Sequence, residues 1–274
     1  MKLVFSVRDA VERRISVRSY EPRPVDAQTK QRILDYAAGL SNPLGPKMRV
    51  QWIDAPAKKG GEKLGTYGVI RDAQSYLAVI VPEEPHAAEA LGYSFEELVL
   101  YAASIGLGTC WLGGTFNRSA FAAKVQLQPN ERFAILSPIG YPAQQKRMPE
   151  QLFRRVLRAD ARKPWEELFF AEGTNRPLTR EDTGAYAFPL DMLRLAPSAV
   201  NRQPWRVVRC GKAFHFYKEG EAGASLNMQR IDVGIAACHF HLAALERGLT
   251  GHFERDLPAP VLPGMTYLFS WIVG

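Results

Sequence analysis

Cysteine is scarce in this chain: Cys110, Cys210 and Cys238 are the only three among 274 residues. So few and so scattered, they exclude a disulfide framework and a four-cysteine zinc cluster. Cys238-His239-Phe240-His241 brings sulfur and imidazole together. It does so inside a nearly all-apolar helical stretch, with no second ligand pair at metal spacing, so buried packing is expected there and no metal. Long apolar runs are also missing. The clearest, Tyr76–Val81, suits a buried strand and falls far short of the ~18 residues that span a bilayer. The segment Met1–Asp9 lacks a secretory apolar stretch, which makes the cytoplasm the expected location and leaves no role for a membrane. Nowhere do Lys and Arg interleave with aromatics. The net charge of +7 therefore predicts no nucleic-acid partner, and the densest basic cluster, Arg154–Lys163, reads as a solvated linker or helix face. A phosphate-binding lysine loop and a G-x-G-x-x-G fingerprint are both absent.

What remains is the composition of an ordinary globular protein, 46% hydrophobic and 23% charged, long enough for one large core or two smaller ones. Its organisation is a repeat. The apolar stretches Leu91–Gly108 and Val233–Thr250 both read as buried helices ending in Gly-Leu, where glycine suits a left-handed cap. A constant 142 positions relate them, from Gly92 to Gly234 and from Gly106 to Gly248. Leu100 and Ala102 correspond in that register to Leu242 and Ala244. More loosely, a helix over 30–38 followed by a strand over 48–53 is echoed by 190–195 and 205–208. Strand candidates at 75–81 and 132–140 find counterparts near 213–218 and 265–273. Helices and strands alternate without a parallel βαβ rhythm, which predicts an α+β fold with a mixed, largely antiparallel sheet flanked by helices in each half. The halves are expected over 1–150 and 151–274, joined through the Pro/Arg-rich stretch at 142–165. Residues 91–105 and 233–247 should pack together at a pseudo-two-fold axis, making the chain an intrachain pseudo-dimer that is monomeric.

Three segments carry candidate chemistry. Arg14, Ser16 and Arg18 alternate, so an extended backbone would put two guanidiniums and a hydroxyl on one face. That set suits an oxyanion such as a phosphate, although basic residues here could equally just solvate a helix end. The segment Ala196–Trp205 contains Pro197 and Pro204, which fix the backbone around Ser198, Ala199 and Asn201. It is either a rigid polar loop for a flat heterocycle or a turn leading into a strand. Third, Gly106–Phe116 includes Leu112, Gly113 and Gly114, whose backbone amides could approach a ligand closely, with Trp111 and Phe116 as candidate walls for an aromatic ring.

Together these segments resemble the nitroreductase family of FMN-dependent oxidoreductases, in particular its single-chain type built from two fused halves. The resemblance lies in Arg14/Ser16/Arg18, in Pro197 through Trp205 and in Gly106 through Gly114. It implies that Arg14 and Ser16 hold the FMN phosphate with help from Arg147, and that Arg18 lies near the flavin edge where reduction places negative charge. It further implies that Leu112, Gly113 and Gly114 face the reactive flavin nitrogen, with Ser198, Ala199 and Asn201 reaching over from the other half. NADH or NADPH would be the electron donor and a small molecule, such as a nitroaromatic or quinone, the acceptor. No side chain is thereby marked as catalytic. A flavin- or ligand-binding protein with a degenerate site and no turnover is the alternative.

The chain departs from the family pattern in instructive places. After the Arg-Ser-Arg segment stands Leu40–Pro46, which lacks Gln-Pro-Trp. The second half carries Arg162-Lys163-Pro164 in place of an Arg-x-Ser-x-Arg segment, and Gly251–Arg255 in place of Trp-Leu-Gly-Gly. Gln145 replaces a basic residue often found near Arg147. One FMN per chain is therefore expected, not two.

Overall fold

The computed structural model describes residues 3–55, 65–144, 160–172, 176–220 and 227–274. The first half contains helices α1 (Val7–Arg13), α2 (Ala27–Gly39), α3 (Ala87–Ser104) and α4 (Arg118–Ala122) and strands β1 (Arg49–Asp54), β2 (Ser75–Pro82), β3 (Gly108–Thr109) and β4 (Glu131–Gly140). The second contains β5 (Phe169–Ala171), α5 (Arg180–Thr183), α6 (Ala187–Arg194), β6 (Trp205–Cys210), β7 (Ala213–Glu219), α7 (Met228–Glu246), β8 (Gly251–Glu254) and β9 (Met265–Val273). The two sheets run β1-β2-β4-β3 and β5-β6-β7-β9-β8, antiparallel except for the parallel pair β5–β6. With β5 set aside, the strand orders are identical. Even the irregularities recur, one register shift between Val79 and Ile80 and another between Phe216 and Tyr217. The expected α+β class and strand correspondences are thus present. The expected join near 150 falls within 145–159, outside the described residues.

Helices α3 and α7 begin about a turn earlier than periodicity alone indicates and form the centre. A helix apolar on every side must be covered on every side, and Ala87–Ala102 are buried without exception. Each helix packs on the other, α3 also on β2 and β3, α7 also on β6 and β7, which gives a sheet–helix–helix–sheet order. Their crossing is reciprocal. A methyl group added at Gly92 would overlap the Ile231 carbonyl, and one at Gly234 would overlap the Glu89 carbonyl. Both pairs are related by the same 142 positions, so each helix offers its glycine to the equivalent carbonyl of its neighbour, as in an isologous dimer contact.

The C-termini repeat just as closely. Gly106 (φ +83°) and Gly248 (φ +69°) adopt the left-handed conformation. Leu107 N–H donates to Ala102 O and Leu249 N–H to Ala244 O, each at 2.9 Å. Both helices therefore end in the Schellman closure that Gly-Leu predicts. The halves are further tied where α1 begins: Glu246, the last residue of α7, accepts from the Val7 and Arg8 amides. A carboxylate at a helix N-terminus satisfies otherwise orphaned N–H donors.

Candidate active site

Between the halves lies a cavity of about 730 Å³, within the range that holds a small ligand or cofactor. Three segments remote in sequence build its walls. On the first, α1 stops at Arg14, whose backbone turns extended (φ −61°, ψ 119°). Ser16 then bridges Thr109 of β3 in parallel, and Val17 N–H donates to Thr109 O at 2.9 Å. Val17 packs into the core, against Gly108, while Arg14, Ser16 and Arg18 line the cavity together with Ile15. The expected shared face is therefore formed.

The second wall is Cys110–Thr115, leaving β3 along the sheet, with Leu112 paired to Leu136. Leu112, Gly113 and Gly114 all line the cavity. A side chain on Gly113 would press on Met228 across the space, whereas the Cβ direction of Gly114 is open. Trp111 lines the cavity too, but Phe116 does not. It is buried against Phe121 and Phe133, because the chain turns inward to pack this aromatic cluster under the sheet. The expectation of Phe116 as a ring wall is corrected accordingly.

The third wall comes from the second half. Pro197, Ser198, Ala199, Val200 and Asn201 reach the cavity, and Trp205 stays out of it as a fully buried anchor at the start of β6. Much of this loop's polarity is spent on the loop itself. Ser198 Oγ accepts from Gln203 N–H (2.8 Å), Asn201 Nδ2 donates to Ala161 O (3.0 Å), and the Ala199 amide donates to Asp232 Oδ1 (3.1 Å). The reason is conformational. Val200, Asn201 and Gln203 all have positive φ without being glycine, a shape that needs cross-bonds to persist. Arg147 lies outside the described residues.

Sequence reasoning missed several lining groups. Asp232 projects from α7 beside Met228 and Ile235, and burial pushes its carboxyl up to about 7, partly opposed by the Ala199 N–H and by Arg202. A single acid in the apolar run Ile231–Ile235 was the available signal. Asp160 and Arg162 flank the opening from the start of the second half, with Glu12 on the α1 side. Among the described residues, three guanidiniums (Arg14, Arg18, Arg162) line the cavity against three carboxyl groups. Behind its wall, Trp111 Nε1 donates to Glu96 Oε2 at 2.8 Å, and Glu96 Oε1 lies 3.7 Å from Arg14 Nε.

At the corresponding place in the other half, the described residues pair charged groups with one another. Glu89 on α3, fully buried, meets Arg230 Nη2 at 2.8 Å and Arg255 Nη1 at 3.9 Å. Arg255 follows β8 as Leu112 and Gly113 follow β3, and it donates to Leu268 O and to Leu44 O of the 40–46 loop. Among the described residues, no group of His, Cys, Asp and Glu is arranged to hold a metal, and no helix is long and apolar enough to cross a membrane.

This architecture, two like halves with a cavity at their seam, is that of a nitroreductase-type fold. The family profile described as "Putative TM nitroreductase" matches residues 6–244, and the chain belongs to that family. A crystal structure of a nitroreductase-like protein from Thermotoga maritima MSB8 aligns over 100% of this chain and 96% of its own, at 19% identity and a TM-score of 0.62. A nitroreductase with bound FMN from Bacteroides fragilis covers 52% of this chain and 91% of its own, at 16% identity and a TM-score of 0.42. No curated protein matches.

Proposed function

We propose that the chain is an FMN-dependent oxidoreductase of nitroreductase type, with one cofactor site formed by two fused halves that meet at a join within 145–159. The observation that supports it best is the convergence of 14–18, 111–115 and 197–201 on one cavity although they are nearly two hundred residues apart. The residues fit FMN. Arg14, Arg18 and the Ser16 hydroxyl offer charge-assisted and neutral donors for a phosphate. Gly113 and Gly114 leave backbone close to the cavity without side chains in the way, and Trp111 presents an aromatic surface to a flat ring. The volume accommodates a cofactor and leaves room at the mouth.

FMN held by Arg14, Ser16, Arg18 and the Gly113–Gly114 backbone would supply the redox chemistry of a ping-pong cycle, with NADH or NADPH as donor and a nitroaromatic, quinone or similar small molecule as acceptor. The chain's own part is electrostatic and positional. Its guanidiniums favour an anionic cofactor, and the Val200 loop narrows the entrance and excludes water from one side. The charges paired at the counterpart position support a stoichiometry of one FMN per chain, and the reciprocal helix contact supports a chain that is monomeric because it carries its own partner.

An absorbance spectrum of the purified protein, titrated with NADH and then with NADPH, tests this. The expected result is a yellow protein with about one FMN per chain, bleached by at least one donor. A colourless protein that ignores added FMN overturns the proposal. Bound flavin that stays oxidised with both donors turns the protein into a flavin-binding one without turnover.

A further inference from the structure

His239, from the stretch that tempts a metal reading, has no role in the cavity as so far described, yet it is fully buried and hydrogen-bonded on both ring nitrogens. Nδ1 lies 3.0 Å from Met192 O, and Nε2 lies 3.0 Å from Glu96 Oε1. Glu96 is fully buried as well. A carbonyl oxygen can only accept, so Nδ1 carries a proton. Between Nε2 and Oε1 there must be one more, since two lone pairs do not face each other at that distance. That proton sits either on nitrogen, giving imidazolium and carboxylate, or on oxygen, giving two neutral groups. In both placements the pair has no net charge.

The consequence reaches the cavity through Glu96. Its Oε2 accepts from Trp111 Nε1, and its Oε1 stands 3.7 Å from Arg14 Nε. A solitary buried carboxylate at that distance would offset the charge of Arg14. A carboxyl that shares a proton with histidine still accepts from Trp111 and places no net charge beside the guanidinium. The adjacent Glu97 takes no part, because its carboxyl faces the Tyr36 hydroxyl instead.

We propose that Glu96 and His239, one from each half, form a neutral proton-sharing pair that positions Trp111 on the cavity wall and adds no net negative charge beside Arg14, where an anionic cofactor would bind. The proposal rests on the FMN reading of the cavity. Glu96 and His239 are positioning residues and do not touch the ligand.

Charge-balancing variants test it, with FMN affinity read from quenching of flavin fluorescence. In His239→Gln the amide can still donate to Glu96 but brings no proton to share, so a net negative charge appears beside Arg14. Affinity should fall by about tenfold or more. Glu96→Gln keeps each hydrogen bond, donating to Nε2 and accepting from Trp111, and should bind within about threefold of the parent. The double variant Glu96→Gln/His239→Gln is neutral again and should recover most of the loss. A merely structural role predicts the opposite, a double variant no tighter than His239→Gln, and that result overturns the proposal. The ¹⁵N spectrum of the His239 ring in cofactor-free protein reads the pair independently. A protonated Nδ1 is expected in the parent and in Glu96→Gln, and a bare Nδ1 in the parent overturns the pair. Protein that shows the protonated Nδ1 yet binds no FMN overturns the cofactor reading and leaves the neutral pair standing.

Discussion

The two seams between the halves are framed by the same strand order and differ in what fills them. At one, the Pro197–Asn201 loop, the Leu112–Gly114 segment and the α7 face bearing Asp232 enclose a cavity. At the other, the Leu40–Pro46 loop lies directly on α3 near His86 and Ala90, and Arg255 joins that loop, Leu268 of β9 and the buried Glu89. Gly113 stands in one half where, 142 positions on, Arg255 stands in the other. Small residues next to empty space preserve a ligand site, whereas a long cation paired to a buried carboxylate turns the same geometry into structure. A homodimer cannot make that division, because each substitution would appear at both sites.

The comparison breaks most readily at the axis. If the helix crossing is reciprocal, Gly92→Ala and Gly234→Ala should destabilise alike, each by about 3 kcal/mol, because in both the new methyl meets a backbone carbonyl that can move only with its helix. The double variant should cost less than the two losses combined, since the first already separates the helices. Urea unfolding measures all three. A large difference between the single variants would mean that the contact is two-fold in appearance only.

Comparable in size, but confined to one half, is the contribution of Glu97. Burial raises its carboxyl from 4.5 to about 7, with the Tyr36 hydroxyl donating to it at 3.2 Å. Between those values the folded chain keeps a proton that the unfolded chain has released, so this group's contribution is fully present below about 4.5 and is lost as pH rises to about 7. The full loss amounts to about 3 kcal/mol. His241, held down at about 4 by burial, acts in the opposite direction across part of the window, and Asp232 acts in the same direction as Glu97. The difference between Glu97→Gln and the parent isolates the effect. Its advantage at pH 8 over pH 4.5 should be about 2 to 3 kcal/mol. A difference that does not change with pH would show the carboxyl to be solvated.

Elements with strong local codes were the ones legible in the sequence. Gly106-Leu107 and Gly248-Leu249 announced two helix ends because a left-handed cap needs glycine, and the alternation Arg14/Ser16/Arg18 announced a shared face because an extended chain has a period of two. Ten of the eleven proposed site positions line the cavity; Arg147 lies outside the described residues. What escaped was set by tertiary packing. Nothing local distinguishes Phe116, turned into the core, from Trp111, turned to the cavity. The pairing of Glu96 with His239 spans 143 positions and depends on how two helices cross. The plug at Glu89 was visible only as an absence, the missing Trp-Leu-Gly-Gly in the second half.

A third test moves the plug. Gly113→Arg would place, at the open seam, a cation like the one that closes the other, in a backbone conformation that any residue adopts and pointing toward Met228 across the cavity. FMN affinity should drop about a hundredfold, equivalent to about 2.7 kcal/mol, with stability nearly unchanged because no buried carboxylate is left unpaired. Retention of FMN by this variant would place the ligand elsewhere in the cavity, away from the glycine wall.

The smallest effect should come from Val200, and its sign matters more than its size. This residue is 72% exposed at the cavity and sits at φ 47°, ψ 28°, a left-handed conformation that a β-branched side chain adopts only under constraint. The 40–46 loop at the other seam has no non-glycine residue with positive φ. Strain is thus found in the loop beside the cavity and not in the 40–46 loop, as expected if it maintains the shape of the entrance. Val200→Gly removes a cost of about 1–2 kcal/mol in the folded state and adds somewhat less through the freer unfolded chain. A gain of up to about 1 kcal/mol in thermal or urea unfolding should result, accompanied by a higher KM for the electron acceptor and an unchanged FMN affinity. A loss of stability would show that the valine side chain is held by contacts worth more than its strain, and would assign the loop's shape to packing, not to the site.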